Sequence, residues 1–151
     1  MFEEKEYFIS SVEDRDRTPE DTVLEYIKVF TRWSKHCHSW IKENKATPKQ
    51  LTEVGARNVL DAIRNKYCVS KNRQYSRSDA GHYYIGGASK VYSEIDYTNQ
   101  LGSDTVEVYT KSNTVKRLKS YKFIVKKVGA IWKISALFSD SGQGRWRDEE
   151  I

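Results

Sequence analysis

The spacing of apolar positions changes near the middle of the chain. Val23, Ile27, Phe30, Ser34, Cys37 and Ile41 fall in one stripe at ~100° per residue. Tyr26, Trp33 and Trp40 widen that stripe on one side. The pattern predicts a long helix ending near Asn44. Its start is marked locally: Thr18 can cap, Pro19 suits the first helical position, and Glu20 and Asp21 favour the positive end of the dipole. Thr47-Pro48 repeats the signal, and Leu51, Val54, Asn58, Val59, Ala62, Ile63 and Tyr67 give a second helix a buried side. Gly55 lies inside that helix, where close approach to the first helix would explain it.

Residues 69–81 are loop-like. Beyond them the period drops to two. Short or alternating runs predict strands at 82–85, 90–98 and 104–111, and 117–138 reads as a hairpin turning at Gly129. In it Tyr121, Phe123 and Val125 share one face, and Trp132, Ile134, Ala136 and Phe138 share another. Consecutive strands with short turns pair antiparallel. The expected fold is α+β, with a long N-terminal helix and a second helix packed on a strongly curved antiparallel sheet. Residues 1–17 are expected to form a poorly ordered arm or a loosely docked extension, whose Phe2, Tyr7, Phe8 and Ile9 could pack onto the body, 18–138 one cone-shaped domain, and 139–151 a polar, irregular tail.

Composition adds constraints. The 151 residues are 31% charged and 38% hydrophobic, but 4 Trp, 10 Tyr and 5 Phe supply core area from few side chains. Cys37 and Cys68 form no CxxC and no disulfide framework. The acidic start carries no apolar leader, and no apolar run is long enough to span a bilayer. A cytoplasmic protein without membrane contact is expected. The net charge of +5 is modest and not gathered into one stripe, so nucleic acid is not the expected partner; the 111–127 face is its best candidate site.

Chemistry-bearing motifs are sparse. His36 and His38 point about 200° apart on a helix, so they do not share a metal ion, and neither metal nor cofactor is expected. The glycines of 81–87 lack the phosphate-loop pattern. Tyr83, Tyr84, Tyr92, Tyr97, Tyr109 and Tyr121 all fall in strand candidates, and two or three of them are expected to face a partner or a cavity.

The order of elements resembles the nuclear transport factor 2-like superfamily, a cystatin-like cone of curved sheet around a long first helix. The stretches TPEDTVLEYIKVFTRW (18–33) and YKFIVKKVGAIWKISAL (121–137) carry the likeness. Some members, such as ketosteroid isomerases and scytalone dehydratase, are enzymes that place Asp, His and Tyr in the cone. On that alternative His38, Tyr84, Tyr92, Asp96 and Trp132 would line a pocket for isomerase- or dehydratase-like chemistry or a ligand. The overall form is more similar to the bacterial immunity proteins of this fold, which neutralise a cognate toxin of a polymorphic toxin system. This implies a binder without catalytic residues. Its contacts are expected from exposed aromatic and arginine side chains: Arg73 and Tyr75 in the loop after the second helix, and Arg145, Trp146 and Arg147 in the tail. A net positive charge favours an acidic toxin, or one blocked by steric plugging, over a basic nuclease. A homodimer through the sheet is the other partnership considered.

Overall fold

The computed structural model describes residues 2–8, 12–70, 94–111, 120–140, 144–148 and 151. Helix α1 runs Pro19–Asn44. Thr18 Oγ1 accepts from the Asp21 amide at 3.1 Å, and the Asp21 carboxylate accepts from the Thr18 amide at 3.2 Å. This reciprocal box satisfies two otherwise orphaned donors. Lys45, left-handed at φ 47°, ends the helix. The predicted stripe is its buried face: Val23, Tyr26, Ile27, Phe30, Trp33, Ser34 and Cys37 are buried, and Trp40 and Ile41 are half-buried.

The second predicted helix is two. Helix α2 spans Pro48–Glu53 and α3 spans Ala56–Tyr67. Gly55 breaks them apart with φ 92°, a conformation L side chains rarely adopt. The close approach here is to the N-terminal arm and not to α1. A Cβ at Gly55 would lie 3.1 Å from the Phe2 carbonyl oxygen. On α3 the buried side includes Arg64, while Asn58 is exposed.

Among the described residues five strands form one sheet in chain order, each antiparallel to the next: β1 Glu94–Gln100, β2 Thr105–Lys111, β3 Ser120–Val128, β4 Ile131–Asp140 and β5 Arg147–Asp148. The strand predicted at 82–85 lies outside the described residues. One face of the sheet meets the helices. Val106, Val108 and Thr110 of β2, Tyr121, Phe123 and Val125 of β3, and Ile134, Leu137 and Ser139 of β4 are buried there. Burying each large aliphatic among them stabilises the fold by about 1.5–3 kcal/mol. Tyr26 bridges the layers, edge-on to Tyr67 of α3 at 6.4 Å and to Phe123 of β3 at 6.4 Å. Trp33, fully buried, donates its indole N–H to the Ala56 carbonyl at 3.0 Å and so fixes α3 against α1.

Two irregularities bend the sheet. The β1–β2 register shifts between Ile95 and Tyr97. On β4, Ile134 faces Val125 but Ala136 faces Ile124, which leaves Ser135 as the extra residue. Its hydroxyl donates to the Ile124 carbonyl at 3.3 Å. The bulge reverses the alternation, so Phe138 does not share a face with Ile134. Leu137 turns to the core and Phe138 to the opposite side.

Both ends of the chain pack closely. Phe2 and Tyr7 are buried in the arm expected to dock loosely. In the stretch expected to be irregular, β5 pairs with Phe138 and Ser139 of β4. Ile151 is buried, and its carbonyl accepts from Arg64 at 2.8 Å.

Candidate partner-binding face of the sheet

Alternation places every second strand residue on the face turned away from the helices. Among the described residues no helix covers that face. At one end of it the outward positions are aromatic: Tyr97 of β1, Tyr109 of β2, Phe138 of β4, and Trp146 just before β5. Tyr97 and Tyr109 are register partners and stack with centroids 4.2 Å apart and planes 14° apart. Trp146 meets Tyr109 edge-on at 5.7 Å. Lys122 of β3 lies between the remaining rings, its Nζ 4.7 Å from the Trp146 centroid and 5.2 Å from that of Phe138. Each cation–π contact of this kind is worth about 0.5–1 kcal/mol near solvent.

One carboxylate organises the polar part. Glu107 accepts from Asn99 Nδ2 at 2.9 Å and from the Tyr109 hydroxyl at 3.1 Å, with Lys122 Nζ 3.9 Å away. Burial, with the Glu107 carboxylate beside it, pushes the Tyr109 hydroxyl up to about 12, so it stays a neutral donor. The charges in the cluster are therefore internally paired. What it offers outward is ring surface, with Tyr97 52% exposed. Rigid amphipathic rings contribute contact area at little cost in side-chain entropy, which suits docking of a protein surface.

The residues singled out from sequence are distributed unevenly. Trp146 is half-buried inside this cluster. Arg145 is exposed beside it. Arg147 pairs with Ser139, an inward position, so its exposed side chain leaves β5 on the other side from Trp146. Arg73, Tyr75, Tyr84 and Tyr92 lie outside the described residues. The other members of the conjectured pocket are not brought together. His38 is exposed on α1. Asp96, at the β1 irregularity, is paired with Lys111 at 3.1 Å. Trp132 is half-buried near the start of β4, paired with Lys127. Asp96 and Trp132 belong to opposite ends of the sheet, roughly 20 Å apart at ~3.3 Å per residue.

A surface groove of about 790 Å³ lies elsewhere, between the arm (Glu4, Phe8, Asp14) and α3 (Asn58, Asp61, Lys66). Of the conjectured pocket residues that are described, His38, Asp96 and Trp132, none lines it. Among the described residues no group of three His, Cys, Asp or Glu side chains could hold a metal ion, and no helix is long and apolar enough to cross a membrane.

Tyr109, Lys122, Phe138 and Tyr97 were not singled out as a site. Tyr97 and Tyr109 stood among the strand tyrosines, and they turn outward while Tyr121 is buried. Nothing in the residues themselves marked Phe138, because its direction depends on the Ser135 bulge.

Helices confined to one face of a bent five-stranded antiparallel sheet define an α+β protein of the nuclear transport factor 2-like class. Within it, residues 18–149 match the family described as NTF2 fold immunity protein, and the chain belongs to that family. No curated protein and no solved structure matches the chain.

Proposed function

We propose that the protein is a non-catalytic bacterial immunity protein that binds a cognate toxin in the cytoplasm and blocks it. Family membership across 18–149 supports the class of function. The observation that carries the choice of surface is the aromatic cluster on the helix-free sheet face, centred on Trp146. Clustered Trp and Tyr side chains with an adjacent Arg are the composition of energetic anchors in protein interfaces. The partially exposed rings of Tyr97, Tyr109, Phe138 and Trp146 would meet the toxin, with Arg145 at the rim. No reaction is assigned, since His38, Asp96 and Trp132 are dispersed.

The test is co-expression with the protein encoded immediately upstream of this gene, as the candidate toxin. The intact protein restores growth and co-purifies with the toxin. Trp146→Ala, well folded by circular dichroism, loses both. Rescue and co-purification by Trp146→Ala at the level of the intact protein would show that another surface binds. Absence of rescue and of any complex with the intact protein would remove the toxin reading.

A further inference from the structure

The arm at residues 2–8 is anchored by one side chain of α1. His36 stacks on Phe2 with centroids 4.1 Å apart and planes 21° apart. Its Nδ1 shares a hydrogen bond with the Tyr7 hydroxyl. We assign the neutral ring's hydrogen to Nε2, which makes Nδ1 the acceptor of that bond. Around this contact the arm is held by backbone bonds. The Phe2 amide donates to the Val54 carbonyl at 3.1 Å, and Arg32 donates to the Tyr7 carbonyl at 3.0 Å. Phe2 and Tyr7 are 5% and 1% exposed, so the arm is part of the core and not a solvated tail.

A second proton on His36 would change this contact directly. It would occupy Nδ1, the atom that accepts from Tyr7, and turn the acceptor into a donor. The Tyr7 hydroxyl would then have to redirect its own hydrogen within a site almost closed to water. The imidazolium would also be partly desolvated beneath the arm. The Phe2 ring face offers it only about 0.5–1 kcal/mol of cation–π attraction.

We propose that residues 2–8 form a pH-sensitive latch: neutral His36 holds the arm closed over α1 and the α2–α3 junction, and protonation of His36 loosens it. This goes beyond the toxin reading and does not depend on it. The charges facing His36 come from two elements. Glu6 lies on the arm's own turn, and Glu43 and Arg32 lie on α1, with the buried Cys37 thiol adjacent in sequence; the α2–α3 junction contributes backbone at Val54 and Gly55. Burial lowers the His36 pKa; Glu6 pulls it back up, the amino terminus pushes it down, and Glu43 pulls it up. The net direction is down. The docked arm is therefore fully favoured above about pH 6.5, the value for an open imidazole, and its advantage is lost as the pH falls below that.

The experiment combines two readouts on the full chain. The His36 ring resonances are titrated by NMR, and amide-exchange protection factors are measured for the arm and the sheet at pH 7.5 and 5.0. His36 should titrate below 6.5. Arm protection should fall on acidification by a factor of up to about thirty, the limit set by the 1.5 pH units between 6.5 and 5.0, while β3 and β4 amides hold theirs. His36→Phe keeps the stack without the titration and should abolish the pH response. Glu6→Gln, an exposed change that leaves the packing alone, should move the His36 titration further down and enlarge the loss of arm protection at pH 5.0. Titration of His36 at or above 6.5 would overturn the proposal. So would arm protection indifferent to pH in the intact protein, or an unchanged response in either variant.

Discussion

Leu137 and Phe138 are neighbours in β4, and the fold assigns them opposite tasks. Leu137 is fully buried, paired with Phe123 on the face that meets α1. Phe138 is paired with Lys122 on the other face and is half-buried beneath the Lys122 ammonium. Truncating Leu137 to Ala removes three carbons from a closed site and leaves a cavity, so the expected loss is about 2–5 kcal/mol. Truncating Phe138 to Ala removes a larger side chain but leaves no closed cavity. Its loss is partial ring burial plus one cation–π contact, about 1–1.5 kcal/mol. Urea unfolding followed by circular dichroism should show the Leu137→Ala midpoint falling well below that of Phe138→Ala, with similar slopes. The order of toxin binding should be the reverse, with folded Phe138→Ala weaker than folded Leu137→Ala. A larger stability loss for Phe138→Ala would mean that β4 alternates without interruption. The Ser135 bulge and the aromatic face built on it would then be wrong.

Three further outcomes follow from particular contacts. Gly55→Ala should destabilise by about 1–2 kcal/mol in urea, because alanine resists a left-handed backbone and its Cβ would press on the Phe2 carbonyl. Trp33→Phe should cost about 2–3 kcal/mol, from lost indole volume and the lost bond to the Ala56 carbonyl; an unchanged midpoint would contradict that anchor. Asp14 accepts from Lys66 at 2.9 Å and pairs with the buried Arg17 guanidinium, and these partners, Lys66 first, hold its carboxyl below the usual range. Its stabilisation is therefore present above about pH 3.8 and lost as pH falls through the lowered value. Asp14→Asn should lower stability by about 1 kcal/mol at pH 7, after allowing for the carboxylate's partial exposure, and the gap to the intact protein should close toward pH 2.

What could be read from the chain was local. Thr18, Pro19 and Asp21 mark the start of α1 within four residues, and the aromatic stripe marks its buried side. The β3–β4 hairpin was visible because period-two runs flank Gly129, which takes φ 65° at the turn. Features set by distant partners were not legible. Gly55 breaks a continuous helical pattern because Phe2, more than fifty residues away, packs against it. The direction of Phe138 follows from one extra residue, and a one-residue shift moves every later side chain to the other face. The apolar residues of the arm, Phe2, Tyr7 and Phe8, are readable as able to pack on the body, but not the partners that hold Tyr7 there, His36 and Arg32. Trp146 stood out as the lone aromatic of a polar tail. Its neighbours Tyr109, Lys122 and Phe138 did not, since strand pattern alone does not say which face lacks helices.

The proposed toxin-binding surface is the helix-free face around Trp146. Titration calorimetry decides it, with the purified protein encoded immediately upstream as the candidate toxin, against the intact protein, Trp146→Ala, and a distant surface control, Lys49→Ala. One-to-one binding is expected for the intact protein and for Lys49→Ala, with the same Kd. At least about thirtyfold weaker binding is expected for Trp146→Ala, the loss due to an interface anchor worth about 2 kcal/mol. Equal affinity for all three proteins would contradict that surface, and so would loss of binding only in Lys49→Ala.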